Sequence, residues 1–145
     1  LAGTARTFDR SIWQRWPEII EKIVKGVCAS TGATYEFAFD QGYPPTVNDV
    51  GMARRLTGIA GRVVGPERVV VPDKTMGGED MAFFLERVPG CFFCLGAGND
   101  AHAGIHNSRF GFNESILADG VAMYVRAALD LLGGSPSSGT SPVAG

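Results

Sequence analysis

No apolar run in this chain approaches the roughly 20 residues that a helix needs to cross a bilayer. The N-terminus also lacks the basic-then-apolar pattern of a secretory leader. A membrane partner is therefore not expected, and the default compartment is the cytoplasm. Basic clusters are missing too. The longest run of Lys or Arg is the pair Arg54-Arg55, and 13 basic against 15 acidic residues leave a net charge of −2. Such a balance offers no phosphate-tracking face, so nucleic acid is not an expected partner. Cysteine is scarce: Cys28, Cys91 and Cys94 are all there is, too few for a disulfide framework without a secretory context. Cys91 and Cys94 form a C-x-x-C within the apolar run "CFFC". On a strand, residues three apart face opposite sides, so the pair is poorly placed to chelate one ion and reads as buried, reduced thiols. Histidine is scarcer still, with only His102 and His106.

What is present is a globular composition, 45% hydrophobic over 145 residues, enough for one domain or one and a half. The chain opens on Leu1, and "LAGTARTF" reads as the middle of a strand with no turn or cap before it. The expectation is the C-terminal piece of something longer. From Ser11 to Ala29, Ile12, Trp13, Trp16, Ile19, Ile20, Ile23, Val24, Val27 and Cys28 recur at helical spacing, with Thr31-Gly32 as the stop. "ATYEFAFD" alternates Tyr35, Phe37 and Phe39 against Thr34, Glu36 and Asp40, the pattern of a half-buried strand. The double proline of "QGYPPTVND" then interrupts the pattern as a linker, and Asn48 and Asp49 are offered as caps for a helix from Val50 to Val63.

Beyond that helix the reading is a short strand "RVVVP", the glycine loop "TMGGED", a helix from about Glu79 to Arg87, and the strand "CFFCLG". A second loop, "GAGNDAHAGIHN", leads to a last helix from Glu114 to Leu132. Its apolar stripe runs Ile116, Leu117, Val121, Tyr124, Val125, Ala128, Leu129 and Leu132. Residues 135–145 form a Gly/Ser/Pro tail with nothing to bury. Strands alternating with helices imply an α/β sheet, with both glycine loops at strand C-terminal ends on one cleft. A metal there could draw on His102, His106, Glu79, Asp80 and Asp100. A loop histidine serves equally as a hydrogen-bonding surface group, and Gly-Gly-Glu-Asp at a helix start is explained by capping and the helix dipole alone.

Four stretches, "GTARTFD" (3–9), "GYPPTVND" (42–49), "GGEDMAFFLERVPGCFFCLGAG" (77–98) and "HNSRFGFNE" (106–114), resemble successive motifs of the amidohydrolase-type metallopeptidases. That family includes hippurate hydrolases, aminoacylases, carboxypeptidases and the hydrolases of plant hormone conjugates such as IAA-amino acids. The resemblance runs over nearly all of residues 1–132 and covers the C-terminal part of such an enzyme. It implies an α/β (α+β fragment) fold. Residues 1–43 would be the second half of a ferredoxin-like lid or dimerisation domain, and residues 44–134 the C-terminal part of a two-metal, aminopeptidase-like catalytic domain. His106 matches the last metal-binding histidine, in a motif written His-His/Asn-Pro-x-Phe, with Ser108 in place of the proline. Gly77, Gly78 and Glu79 match the glycine loop beside the substrate cleft, and Arg6 matches the lid arginine of Gly-Thr-x-Arg. His102 has no firm counterpart.

Such an enzyme hydrolyses the amide bond of an N-acyl amino acid or small peptide-like substrate, using water activated by two divalent ions and a general-base glutamate. The metal implied is zinc or manganese, with nickel or cobalt suiting one imidazole as well. The Cys-x-His and Glu-Glu elements that bring the other ligands and the base do not occur in this sequence. No catalytic residue is therefore assigned within it, and the chain alone is expected to be inactive and to retain no metal. Lid strands imply a homo-oligomer. The alternative reading is a non-catalytic module that self-associates or completes itself on a partner.

Overall fold

In the computed structural model, residues 1–98 and 103–133 are described. Among the described residues four α-helices follow one another: α1 (Arg10–Thr31), α2 (Val50–Val64), α3 (Met81–Leu85) and α4 (Leu117–Leu131), with 3₁₀ turns at Pro66–Arg68 and Glu114–Ile116. Among the described residues no helix is long and apolar enough to cross a membrane.

Helix α1 is delimited by its own side chains. Asp9, in an extended conformation, takes the N–H groups of Ser11 (2.7 Å) and Ile12 (3.2 Å) and the Ser11 hydroxyl (2.6 Å) on its carboxylate. The hydroxyl bond first, then the two backbone bonds, hold that carboxyl below its ordinary range. At the other end Gly32 adopts the left-handed conformation, φ 71°, and the N–H of Ala33 bonds the carbonyl of Cys28 at 3.0 Å. Pro17 lies inside the helix. The segment after it runs back along α1, with Tyr35 reaching Glu21 (3.5 Å) and Gln41 donating to the Trp13 carbonyl (2.9 Å).

For α2, one of the two cap candidates serves. Asp49 accepts from Met52 N–H at 2.8 Å, which satisfies a donor that the first turn leaves free. Asn48 does something else: it accepts from Phe92 N–H (2.7 Å) and donates to the Phe92 carbonyl (2.9 Å), while Asp49 N–H bonds Gly90 at 2.9 Å. One carboxamide thus gives residue 92 both bonds that a neighbouring strand would have given it.

The described residues divide into two compact units, Leu1–Met52 with Pro72–Phe92, and Ala53–Val71 with the described part of Phe93–Gly145. In the second unit the buried apolar residues are Leu56, Ile59 and Met123. There α2 and α4 are tied through Asp130, which pairs with Arg55 and, at 3.7 Å, with Arg62. In the first unit Ala82 of α3 is buried, and Arg10 of α1 pairs with Glu86. The proposed tail, 135–145, lies outside the described residues.

The expected α/β sheet is absent: among the described residues there is no strand, only one isolated parallel bridge between Ala103 and Phe110. This overturns the α/β (α+β fragment) reading, with its ferredoxin-like half-lid and α/β catalytic part. The physical reason is that alternation marks two faces and says nothing of a neighbour to complete the ladder. Phe37 and Phe39 do share a side, their rings 6.2 Å apart, yet the segment meets α1 through the side chains of Tyr35 and Gln41 and not through a ladder. Val70 and Val71 of "RVVVP" are 76% and 96% exposed. The helix read as Glu79 to Arg87 is also shorter, five residues. On α4, Leu117, Val121, Tyr124, Val125, Leu129 and Leu132 of the predicted stripe are more than half exposed and Ala128 is exposed, Ile116 is half-buried, and Met123, outside the stripe, is buried.

Candidate functional site

The second unit carries His106. The segment 93–97 lies against α4, with the rings of Phe93 and Tyr124 5.7 Å apart and the Leu95 side chain beside Gly120. It ends where the N–H of Asn113 bonds the Ala97 carbonyl at 2.8 Å. The Asn113 side chain then accepts from Ser115 N–H (3.0 Å) and starts the turn into α4. The chain between thus leaves and returns at one place. Nested inside, Ala103 bridges Phe110, and within that closure the Asn107 carbonyl accepts from Phe110 N–H (2.9 Å). The Asn107 side-chain oxygen accepts from Arg109 N–H, also at 2.9 Å. His106 stands immediately before this turn, exposed, with φ 63°. It is the one non-glycine residue in the left-handed region among those described. His102 and Asp100 lie outside the described residues.

The first unit carries the other candidates. At Gly78 an added Cβ would stand 3.1 Å from the ring of Tyr43, so glycine here lets the loop pass under that ring. Tyr43 in turn meets Phe83 of α3 edge-on, centroids 6.0 Å apart. The carbonyls of Glu79 and Asp80 accept from Ala82 (3.2 Å) and Phe83 (3.0 Å) and open α3. The Asp80 side chain makes no capping bond, so the capping explanation of "GGED" rests on the backbone alone. Gly77 and Glu79 are exposed. Arg6 donates to Thr4 at 2.8 Å, and among the described residues no ion pair joins it to Glu79. Lys74 lies 5.7 Å over the Phe8 ring.

All three cysteines are free, but the buried-thiol reading holds only in part: Cys28 and Cys91 are half-buried and Cys94 is exposed. Burial pushes the Cys91 thiol up from its ordinary value. A protein-bound divalent ion takes three or four donors. Among the described residues no group of three or more His, Cys, Asp or Glu side chains could hold one. The described residues therefore do not by themselves fit a metal site. Sequence reading missed the roles of Asn48 and Asn107, because a carboxamide bonding backbone groups leaves no periodic signature.

The model described as "Peptidase family M20/M25/M40" matches residues 7–130. Among curated relatives, "Putative amidohydrolase YhaA" of Bacillus subtilis is 35% identical over 132 residues, 89% of this chain and 33% of the relative. "Thermostable carboxypeptidase 1" of Saccharolobus solfataricus is 29% identical over 133 residues, again 89% of this chain and 33% of the relative. "N-acyl-L-amino acid amidohydrolase" of Geobacillus stearothermophilus is 48% identical over 48 residues, 33% of this chain and 13% of the relative. The chain spans about a third of the length of the first curated relatives it matches. No solved structure matches it.

Proposed function

Because the chain belongs to peptidase family M20/M25/M40, we propose that it is the C-terminal portion of a metal-dependent hydrolase acting on the amide bond of N-acyl amino acids or small peptide-like substrates. The observation that carries this reading is the family match over residues 7–130, and the names of the amidohydrolase and carboxypeptidase relatives supply the substrate class. In it His106 is one metal donor, for zinc or manganese, with nickel or cobalt as alternatives. Gly77, Gly78, Glu79 and Arg6 border the substrate. Residues 1–43 serve as the second half of a lid or dimerisation domain, and residues 44–134 as the closing part of the catalytic domain. The chain alone has neither the general base nor the remaining ligands, so it does not hydrolyse substrate.

The test compares amide hydrolysis of hippurate, with added manganese or zinc, by the 145-residue chain and by a hydrolase that carries it downstream of Cys-x-His and Glu-Glu elements. Activity in the longer protein only is expected. Turnover by the chain alone would contradict the assignment of missing ligands, and inactivity of both would contradict the hydrolase reading.

A second reading, a module that self-associates or completes itself on a partner, is favoured by the outward apolar face of α4, where Leu117, Val121, Tyr124, Val125, Leu129 and Leu132 are all more than half exposed. Sedimentation separates the two: a stable complex of the chain with itself, together with an inactive longer protein, would favour the module.

A further inference from the structure

We propose that Asn107 is a positioning residue that presets the backbone of His106. The inference rests on reading His106 as the histidine that the hydrolase uses, and concerns what holds it. A non-glycine residue at φ 63° carries a steric cost, and such a conformation persists only where its surroundings over-determine it. Here the determinants converge on the next residue. The Asn107 carbonyl takes the Phe110 N–H, and its side-chain oxygen takes the Arg109 N–H, both at 2.9 Å. Residues 107–110 form a hydrogen-bonded turn in which Ser108 holds the second position, where a proline ring would fix φ covalently. With serine there, the ring restraint is absent, and the carboxamide bond across Ser108 to Arg109 restricts the same stretch of backbone.

The outer closures, Ala103 to Phe110 and Ala97 to Asn113, bring the loop ends together, and among the described residues they make no bond to 104–107. Asn107 stands at the end of that interval, and its side chain ties it to the Arg109 N–H in the turn that follows. The His106 backbone is thereby ordered before any ligand arrives, which removes part of the ordering cost of using the imidazole. The carboxamide acts as an acceptor, so a carboxylate of the same length can replace it and a methyl group cannot.

The test is made on the isotope-labelled 145-residue chain by nuclear magnetic resonance. In Asn107→Ala, exchange of the Arg109 amide should rise about fivefold, the factor that one hydrogen bond of ordinary net strength is worth, and the His106 backbone coupling and shifts should leave the positive-φ range. In Asn107→Asp both should stay as in the parent. Resonances of α4 should hold still in both variants. An unchanged His106 in Asn107→Ala, a failure of Asn107→Asp to restore it, or α4 moving along with it would each overturn the proposal. Neither readout involves hydrolysis, so failure of the hydrolase reading is told apart from failure of this one.

Discussion

The two loops that carry the candidate residues are held in opposite ways. The histidine loop is closed by bonds of its own chain: Ala97 with Asn113, Ala103 with Phe110, and Asn107 with Arg109 and Phe110. Among the described residues the glycine loop makes no comparable closure and leans on a neighbour, with Gly78 under the Tyr43 ring, and Asn48 clasps Phe92 further along the chain. A self-closed loop can hold a strained residue such as His106 in place, whereas a leaning loop takes the shape that its support dictates. The difference assigns the two loops different vulnerabilities.

The largest effect should come from removing an external support. Asn48→Ala leaves both backbone groups of Phe92 without their partner in a part-buried place, at a cost of about 2 kcal/mol. Chemical denaturation measures it. A loss no larger than that of an exposed substitution would mean that the clasp is incidental and the contrast between the loops overstated.

A smaller effect, of opposite sign, is expected within the histidine loop. His106→Gly relieves the left-handed strain and should raise stability by up to about 1 kcal/mol, offset in part by the greater freedom of glycine in the unfolded chain. The same denaturation experiment reads it. A fall in stability would show that the imidazole makes contacts worth more than the strain.

The smallest effect lies outside both loops and calibrates them. Asp9 has its carboxyl held below the ordinary value of 3.8 by the Ser11 hydroxyl and two backbone N–H groups. A group lowered on folding stabilises the protein above its unfolded value, and that contribution is lost as pH falls through the lower, folded value. Melting of α1 between pH 5 and pH 2 should therefore be less pH-dependent in Asp9→Ala than in the parent.

These contrasts also explain what could be read in advance. Helices α1, α2 and α4 were legible because apolar residues at 3.6-residue spacing need no partner to be recognised. The stops at Gly32 and the cap at Asp49 were legible for the same local reason. The strands were not, since "ATYEFAFD" and "RVVVP" carry the alternation but no information on what pairs with them. On α4 the stripe was visible, but which side meets the rest of the unit depends on Met123 and Asp130 and their partners. His106 was singled out through its motif, whereas its backbone conformation and the part proposed for Asn107 depend on hydrogen bonds that no spacing encodes.

His106, and not His102, is the histidine we propose this chain supplies to the metal centre of an amide hydrolase. This is tested most directly by measuring bound metal and amide hydrolysis in a complete hydrolase carrying this chain, for His106→Ala and His102→Ala side by side. His106→Ala should remove one of the two metals and most of the activity, while His102→Ala should do much less. The reverse order would contradict it, placing the motif four residues away and removing the ground for the site assignment.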